Sequence, residues 1–333
     1  MVKKPFVSVV IPTYNRKQLL ARCLKSVFSQ SYSYDRYEVV IADDGSTDGT
    51  GDFVKTLKPK CKLVYAWQEN KGRGPVRNFG VSHAKGEILA FTDDDCVVHK
   101  DWIKNAVDTF TDENVGGVKG RTTTDVHEIT PLSRPIVSEG GDQTCNIFYS
   151  KKAFNHVGGF KLSQFREDTD LAFRVQEAGY KMPYNSNVIA KHPATRYDIK
   201  SLLSKHFDLK RGYWDMYLAK RYPVRFRKEV AIAGHFSPIL FMNYPFYISL
   251  LLSIVSFFAF STGVFMMSLV LLIYVYLSSV LIITNELCRA TTFRQMAKYK
   301  RELLQLFAVW WMIMLDDLWE HIRGMVKFRV FSF

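Results

Sequence analysis

The chain has 333 residues, of which 47% are hydrophobic and 23% are charged, so it can build a large core in one or two domains. Its formal net charge of +13 indicates a polyanionic partner, such as a phosphorylated substrate, anionic lipid or nucleic acid. The five cysteines form no Cys-x-x-Cys pair, which argues against a disulfide framework or a zinc site and favours a reducing compartment. The apolar run that ends at Pro12 is too short for a signal peptide and is better interpreted as a strand.

The first hundred residues alternate predicted strands with predicted helices. Apolar runs predict strands over residues 6–11, 37–42, 63–67 and 87–91. A helix is predicted after each of the first three strands, with Asn15 as the cap of the first. This order predicts an α/β fold with a doubly wound, mostly parallel sheet and helices on both faces.

Three carboxylates, Asp93, Asp94 and Asp95, follow the strand predicted over residues 87–91. Ligands bind at the carboxyl ends of strands in open α/β sheets. In an extended segment, Asp93 and Asp95 would share one face and Asp94 would lie on the other. Two carboxylates on one face suit Mg²⁺ or Mn²⁺ beside substrate phosphates. A solvated acidic loop is the alternative, and the buried strand before the triplet favours the metal site.

Polar residues also follow the other predicted strands and would meet at the same edge of the sheet. Asp43 follows the second strand and suits ribose hydroxyls or a base N–H, because a carboxylate only accepts hydrogen bonds. Arg73 and Arg77 lie four residues apart in a helix predicted over residues 72–85 and could reach a base or a pyrophosphate, although such a pair is often a solvated face. The chain has no Gly-x-Gly-x-x-Gly after the first strand and no Walker A sequence, which argues against a dinucleotide cofactor.

Together these motifs resemble those of family 2 glycosyltransferases with the GT-A fold. The resemblance covers roughly the first 180 residues and rests on the stretches VSVVIPTYN (residues 7–15), ADDGSTDG (42–49), NKG (70–72), RNFG (77–80) and the triple aspartate. It implies a nucleotide-sugar donor, either a UDP-sugar or a GDP-sugar, and a divalent metal, either Mg²⁺ or Mn²⁺.

The resemblance also implies roles for individual residues in donor and metal binding. Thr13, Asp43 and Arg77 would hold the nucleoside, and Asp95 would ligate the metal. The complete donor-binding set that we predict is Pro12, Thr13, Tyr14, Asp43, Asp44, Arg73, Arg77, Asp93 and Asp94, with Asp95 and Asp93 as metal ligands.

A second acidic group, residues 166–170, opens another predicted helix. Acidic residues at a helix N-terminus also cap it and complement its dipole, so spacing alone favours a structural role. The resemblance matches this Glu-Asp pair and implies that its second acid, Asp168, is the catalytic base. Such a base would take the proton of the attacking sugar hydroxyl, and attack opposite the leaving group would invert the anomeric carbon. We assign acceptor binding to Gly159, Glu167, Asp170 and Arg211.

The last third of the chain has the composition of a membrane region. Residues 236–285 carry no charge, which is enough for two spans, predicted over 239–260 and 264–284. Basic residues flank both ends and place the catalytic domain in the cytoplasm by the positive-inside rule. An interfacial or re-entrant helix is predicted over 303–322. A buried helical hairpin is the alternative for the two spans.

We therefore predict four regions. They are the nucleotide-sugar-binding half (1–100) and the acceptor-binding half (101–197) of a GT-A domain, an amphipathic interfacial segment (198–235) and a membrane region (236–333). An ordinary helix packed on the catalytic domain is an equal alternative for the interfacial segment.

The predicted activity is the metal-dependent, inverting transfer of one sugar to a membrane-presented acceptor, a lipid-linked saccharide or glycolipid. The stretch at residues 208–212 lacks the Gln and Trp of the Gln-x-x-Arg-Trp motif found in processive synthases, which favours a single transfer. A polyprenyl-phosphate sugar synthase and an inactive sugar-nucleotide-binding scaffold are the alternatives. No nucleic-acid partner is expected, because the basic residues cluster beside the predicted spans.

Overall fold

The computed structural model describes residues 4–124, 133–134, 137–196, 198, 200–201, 204, 211–226, 228, 266, 319–320 and 322–329. The chain divides into two compact units. The first comprises Met1–Glu128 and Pro135–Thr195, and the second comprises Ile129–Arg134 and Arg196–Phe333.

The first hundred residues form the alternation that their hydrophobic pattern predicts. In chain order the elements are β1 (Val7–Thr13), α1 (Lys17–Val27), β2 (Tyr37–Asp43), α2 (Thr50–Thr56), β3 (Lys62–Trp67), α3 (Arg73–His83) and β4 (Ile88–Phe91). Every residue of β2 is buried, as expected for an inner strand of a parallel sheet that is covered on both faces.

The chain between β4 and residue 196 adds strands and helices that the sequence pattern mostly did not reveal. They are β5 (Val97–Val98), α4 (Trp102–Val107), β6 (Gly117–Thr123), β7 (Ser133–Arg134), β8 (Ser138–Glu139), β9 (Ile147–Ser150), α5 (Lys151–His156), α6 (Glu167–Glu177), β10 (Tyr184–Lys191) and β11 (Thr195–Arg196). The second unit contains the helices α7 (Arg211–Arg221) and α8 (Pro223–Arg225).

The nine-stranded sheet has the order β3-β2-β1-β4-β9-β6-β10-β5, with β8 paired to β6. Strands β1 to β4 are parallel, but β9 is antiparallel to both β4 and β6. The sheet is therefore mixed, which corrects the mostly parallel sheet predicted from the first hundred residues. An antiparallel pairing needs only a reversal of the chain, whereas a parallel pairing needs a long crossover.

Alternate residues of the inner strands pack against helices on opposite faces of the sheet. Val9 of β1 belongs to a core that includes α1 and α4. Its neighbour Val10 belongs to a second core that includes α3, α5 and α6. This two-residue period is the pattern expected of a strand buried on both faces.

The strand register brings the polar residues of three strands to one edge of the sheet. Thr13, the last residue of β1, pairs with Asp43, the last residue of β2. Strand β4 ends at Phe91, which pairs with Val10, so the chain after β4 continues beside the end of β1. The acidic triplet therefore passes next to Thr13.

Among the described residues, no helix is long and apolar enough to cross a membrane. Helix α7, for example, has 11 residues, whereas a span needs about 20 apolar ones. This finding contradicts the predicted multi-pass membrane localisation with a cytoplasmic catalytic domain. Residues 239–260, all of 264–284 except Met266, and most of 303–322 lie outside the described residues, so the two predicted spans and most of the predicted interfacial helix do too.

Candidate active site

The acidic triplet forms a turn at the end of β4. The Cys96 N–H donates to the Asp93 carbonyl at 3.1 Å, which closes the turn. Arg16 Nη1 lies 3.1 Å from Asp94 Oδ1 and 3.0 Å from Asp95 Oδ2. Asp94 and Asp95 thus share one cation. The predicted shared face of Asp93 and Asp95 is wrong, because the turn ends the two-residue alternation of the strand.

Asp94 is buried against the end of β1. Its Oδ2 accepts a hydrogen bond from the Thr13 hydroxyl at 2.8 Å. Burial raises the pKa of Asp94 to about 6, although the positive charge of Arg16 acts in the opposite direction. The predicted donor-binding residues Thr13 and Asp94 therefore lie together, and the two strand ends are linked by their contact.

Arg77 connects the acidic turn to the start of α6. Its Nη2 lies 2.8 Å from Asp93 Oδ1, and its Nη1 lies 3.0 Å from Glu167 Oε1. Arg77 is only 4% exposed, whereas Arg73, one turn earlier in α3, is more accessible to solvent. Burial opposes ionisation of Asp93, but the neighbouring positive charges, of which Arg77 is the largest contributor, together outweigh burial and lower the pKa of Asp93. Two segments distant in sequence are therefore held by one buried cation.

The two acids at the start of α6 differ in environment. Glu167 is buried, and its burial raises its pKa to about 7, with a further contribution from the charge of Asp168. Asp168 is half-buried and accepts a hydrogen bond from the Thr169 N–H at 2.8 Å. Because Glu167 is held by Arg77, Asp168 is the member of the pair that solvent can reach.

A group of possible metal ligands lies beside the acidic turn. Ligand atoms of Asp95, Cys96 and His192 lie within 4.8 Å of one another. His192 Nε2 is 3.4 Å and Cys96 Sγ is 3.7 Å from Asp95 Oδ1. The predicted second ligand, Asp93, pairs with Arg77 through Oδ1, and its role as a metal ligand stays a prediction.

The tautomer of His192 fits a metal ligand. Its Nδ1 lies 2.8 Å from the Pro193 carbonyl oxygen. Because a carbonyl only accepts, Nδ1 carries a proton, and Nε2, which faces Asp95, is the nitrogen that a metal would bind. A carboxylate combined with an imidazole suits Mn²⁺ better than Mg²⁺, which prefers oxygen ligands.

Asp43 and Asp44, at the end of β2, organise the loops around the edge of the sheet. Asp43 accepts hydrogen bonds from the Ser46 N–H at 2.7 Å and from the Tyr65 hydroxyl at 2.8 Å. Asp44 accepts from the N–H groups of Lys71 and Gly72 at 3.0 and 2.9 Å. Both carboxylates therefore shape the loops of the predicted donor site.

The loop after β1 presents one aromatic residue and uses Asn15 in an unexpected way. Tyr14 is 48% exposed, and Pro12 is half-buried. Asn15 does not cap α1, because Arg16 is the N-cap residue and makes no side-chain cap. The Asn15 side chain instead accepts from the Thr47 N–H at 2.7 Å, which joins the loop after β1 to the loop after β2.

The residues predicted to bind acceptor lie in two different settings. Asp170, 1% exposed, pairs with Arg174 at 2.8 Å, and Arg174 Nη2 donates to the Gly159 carbonyl at 2.7 Å. Gly159 has a φ of +64°, and a Cβ there would lie 2.7 Å from Asn78 Oδ1. These contacts hold the Gly159 turn against α6 and favour a structural role. Arg211 begins α7 in the second unit, and its acceptor-binding role stays a prediction.

The sequence pattern left three residues of this site unpredicted, namely Cys96 of the possible metal group, His192 and Arg16. His192 follows β10, a strand that was not predicted, although Val188, Ala190 and His192 are all buried at a two-residue spacing. Arg16 directly follows the stretch VSVVIPTYN, and its position at the start of a helix gave no reason to connect it with residues 94 and 95.

The comparisons with known proteins agree with this fold. The sequence model of glycosyl transferase family 2 matches residues 8–172. The chain is 30% identical over 237 residues to the glycosyltransferase AglE of Haloferax volcanii, with 66% of this chain and 77% of the relative covered. This chain therefore belongs to glycosyl transferase family 2 and is a glycosyltransferase with an α/β, GT-A-like fold.

A second relative and two solved structures extend the comparison. The chain is 26% identical over 249 residues to a Methanococcus voltae enzyme described as dolichyl N-acetyl-alpha-D-glucosaminyl phosphate 3-beta-D-2,3-diacetamido-2,3-dideoxy-beta-D-glucuronosyltransferase, covering 63% of this chain and 76% of that enzyme. The mannosyltransferase PcManGT of Pyrobaculum calidifontis, solved with GDP-Man and Mn²⁺, is 19% identical with a TM-score of 0.61 and covers 98% of this chain and 88% of its own. TarS 1-349 of S. aureus, solved with UDP-GlcNAc, is 17% identical with a TM-score of 0.52 over 73% of this chain and 80% of its own.

Proposed function

We propose that the chain transfers one sugar from a nucleotide-diphosphate sugar to a hydroxyl group of a lipid-linked saccharide or glycolipid, with inversion of the anomeric carbon. The observation that carries this proposal is the position of Arg77, which contacts both Asp93 in the acidic turn and Glu167 beside Asp168. A donor-binding edge and a candidate base are thereby held together by one buried side chain.

The comparisons support both the proposed donor and the proposed acceptor. The solved structures of similar fold contain GDP-Man and UDP-GlcNAc, which are nucleotide-diphosphate sugars. The M. voltae relative is described as acting on a dolichyl phosphate that already carries a sugar. An acceptor of that kind offers a hydroxyl group, and a hydroxyl nucleophile needs a base.

We assign the base to Asp168. In the proposed step the acceptor oxygen forms a bond to the anomeric carbon while the bond from that carbon to the diphosphate breaks. The hydroxyl proton passes to the Asp168 carboxylate, and the bonding electrons leave with the nucleoside diphosphate. Glu167 is the weaker candidate, because its carboxylate is buried and occupied by Arg77.

We assign donor binding to the edge where β1, β2 and β4 end. Tyr14 offers an exposed ring, Asp43 offers carboxylate oxygens and Arg73 offers a solvent-accessible guanidinium, whose charge also acts on Asp93 and Glu167. Guanidinium groups bind phosphate oxygens well, so Arg73 suits the diphosphate.

Asp95 and His192 would hold the divalent metal, and their donor atoms fit Mn²⁺. When bound, a divalent cation supplies positive charge that neutralises the departing diphosphate. Around it, this chain contributes Arg16 and Arg77, which hold the carboxylates of the acidic turn in place.

The test uses the full chain with Mn²⁺ and a panel of UDP- and GDP-sugars. We expect one nucleotide to bind preferentially in calorimetry and its sugar to move to a lipid-linked saccharide, with an inverted anomeric configuration by NMR. Transfer to bare polyprenyl phosphate alone would support a polyprenyl-phosphate sugar synthase instead. Donor binding without hydrolysis or transfer would support an inactive scaffold.

A further inference from the structure

Arg16 lies between two carboxylates that have little contact with solvent. The side chains of Asp94 and Asp95 are 5% and 6% exposed, whereas that of Arg16 is 39% exposed. One nitrogen, Nη1, contacts both carboxylates at 3.1 and 3.0 Å. The cation therefore reaches this acidic pair from the solvent side, and its long side chain begins at the N-cap of α1.

Arg16 and the proposed metal would use opposite oxygens of the same carboxylate. Asp95 Oδ2 faces Arg16 at 3.0 Å, and Asp95 Oδ1 faces His192 Nε2 at 3.4 Å. A divalent cation at Asp95 and His192 would add two positive charges within a few ångströms of the guanidinium. Because buried charges are poorly screened, the two cations would repel each other strongly.

The donor offers Arg16 a second anionic partner. A nucleoside diphosphate brought to this edge of the sheet places phosphate oxygens near the acidic turn. A guanidinium binds two phosphate oxygens through parallel N–H groups, as it binds a carboxylate. A partly exposed arginine on a helix terminus can exchange one such partner for the other by rotating its side chain.

On this basis, and resting on the proposed function, we propose that Arg16 is a movable counter-ion that couples metal binding to donor binding. It pairs with Asp94 and Asp95 until the metal and the donor arrive, and then it transfers to the donor diphosphate. Arg16 therefore weakens metal binding in the absence of nucleotide and makes the two ligands bind cooperatively. Arg16 is a positioning residue for the diphosphate.

The first measurement is Mn²⁺ affinity of the full chain without nucleotide, read by EPR of the free ion. Arg16→Gln removes the competing charge, so we expect it to bind Mn²⁺ at least about 5-fold more tightly than the wild type. Arg16→Lys keeps the charge, so its Mn²⁺ affinity should stay within about 2-fold of the wild-type value. Arg22→Gln is the matched control, because Arg22 contacts the Asp95 carbonyl, at 3.2 Å, instead of its carboxylate.

The second measurement repeats the titration with UDP or GDP. In the wild type the nucleotide draws Arg16 away, so Mn²⁺ affinity should increase by a larger factor than in Arg16→Gln. We expect the coupling between the two ligands to fall at least about 5-fold in the variant. A merely structural arginine would not produce tighter metal binding together with weaker coupling.

The outcomes separate this proposal from the proposed function. If Arg16→Gln binds Mn²⁺ equally or more weakly than the wild type, or if the coupling between Mn²⁺ and nucleotide is unchanged, the proposed role of Arg16 is wrong. The proposal that the chain transfers a sugar would still stand. Absence of Mn²⁺ binding in the wild type overturns both this role and the metal assignment. Arg16→Met is a second neutral variant, and it serves if Arg16→Gln does not fold.

Discussion

Arg77 illustrates how much one buried charge organises in this chain. It is 4% exposed and contacts carboxylates from the acidic turn and from the start of α6. Breaking a buried ion pair leaves an uncompensated charge, which is strongly destabilising. The separation of roles between Glu167 and Asp168 follows from this contact, because only Glu167 is taken up by it.

We expect Asp168→Asn to lower sugar transfer by about 10² to 10⁴-fold, since an amide cannot accept the hydroxyl proton. Donor and Mn²⁺ affinities should remain near the wild-type values, because Asp168 contacts neither Arg77 nor the acidic turn by any described hydrogen bond. Turnover numbers and calorimetry of both proteins check this. Asp52→Asn, at an exposed aspartate in α2, is the control. Near-normal turnover of Asp168→Asn would assign the base to another group.

The raised pKa of Glu167 predicts how the stability of the folded protein depends on pH. Burial raises that pKa from 4.5 to about 7 in the folded chain. Between these values the folded chain keeps a proton that the unfolded chain has lost, so this group makes the protein less stable as pH rises from 4.5 to 7. Glu167→Gln should remove this contribution while keeping an acceptor for Arg77.

The measurement for Glu167 is urea unfolding of both proteins at several pH values. We expect the variant to gain stability relative to the wild type as pH rises through this interval, with a constant difference above about pH 8. A difference that does not change with pH would contradict a raised pKa in the folded protein.

Helix α6 shows how a single element serves both the site and the core. Its first turn carries Glu167 and Asp168, and its interior carries the Asp170–Arg174 ion pair. Arg174 also donates to the carbonyls of Val157 at 2.6 Å and Gly159 at 2.7 Å. The helix thereby fixes the turn that precedes it, and the acids at its start are positioned by buried contacts further along.

We expect Asp170→Ala to lower the free energy of unfolding by about 3 to 5 kcal/mol, because it leaves Arg174 buried without its carboxylate. At temperatures where the variant stays folded, the KM for acceptor should be unchanged. Denaturant unfolding and acceptor kinetics test the two statements. Asp52→Ala breaks an exposed ion pair with Lys55 and should have a much smaller effect. A raised acceptor KM with normal stability would restore Asp170 to acceptor binding.

At the scale of the whole molecule, the candidate site belongs to one unit. The nine-stranded sheet and the side chains of Arg16, Arg77, Asp95, Asp168 and His192 all fall within Met1–Glu128 and Pro135–Thr195. Two hydrophobic clusters cover the two faces of that sheet. A unit of this size buries enough apolar surface to be stable.

We therefore expect a fragment of residues 1–195 to unfold in one cooperative transition and to bind nucleoside diphosphate with Mn²⁺ within about 10-fold of the full chain's affinity, a difference of about 1.4 kcal/mol. Urea unfolding, monitored by two spectroscopic probes, tests the cooperativity, and calorimetry measures the ligand affinity. Residues 129–134 remain in the fragment as a connection. Loss of cooperative unfolding would mean that the second unit is required for the fold.

The strand that precedes the acidic triplet, the helices that alternate with the first strands and the family all follow from local patterns. The acidic residues at the start of α6 were visible in the same way, because hydrophobic period and motif spacing are properties of short segments. The class of enzyme could therefore be predicted from the amino-acid sequence alone.

Only the tertiary structure decided which charges meet. The turn at Asp93 gave Asp94 and Asp95 a common partner in Arg16, and the mixed sheet brought His192 to Asp95 from a strand that the pattern did not reveal. These pairs are separated by 78 to 97 positions in the chain, so no local period connects them. Their contacts depend on strand order and register, which are set by the packing of the whole sheet and not by any one segment.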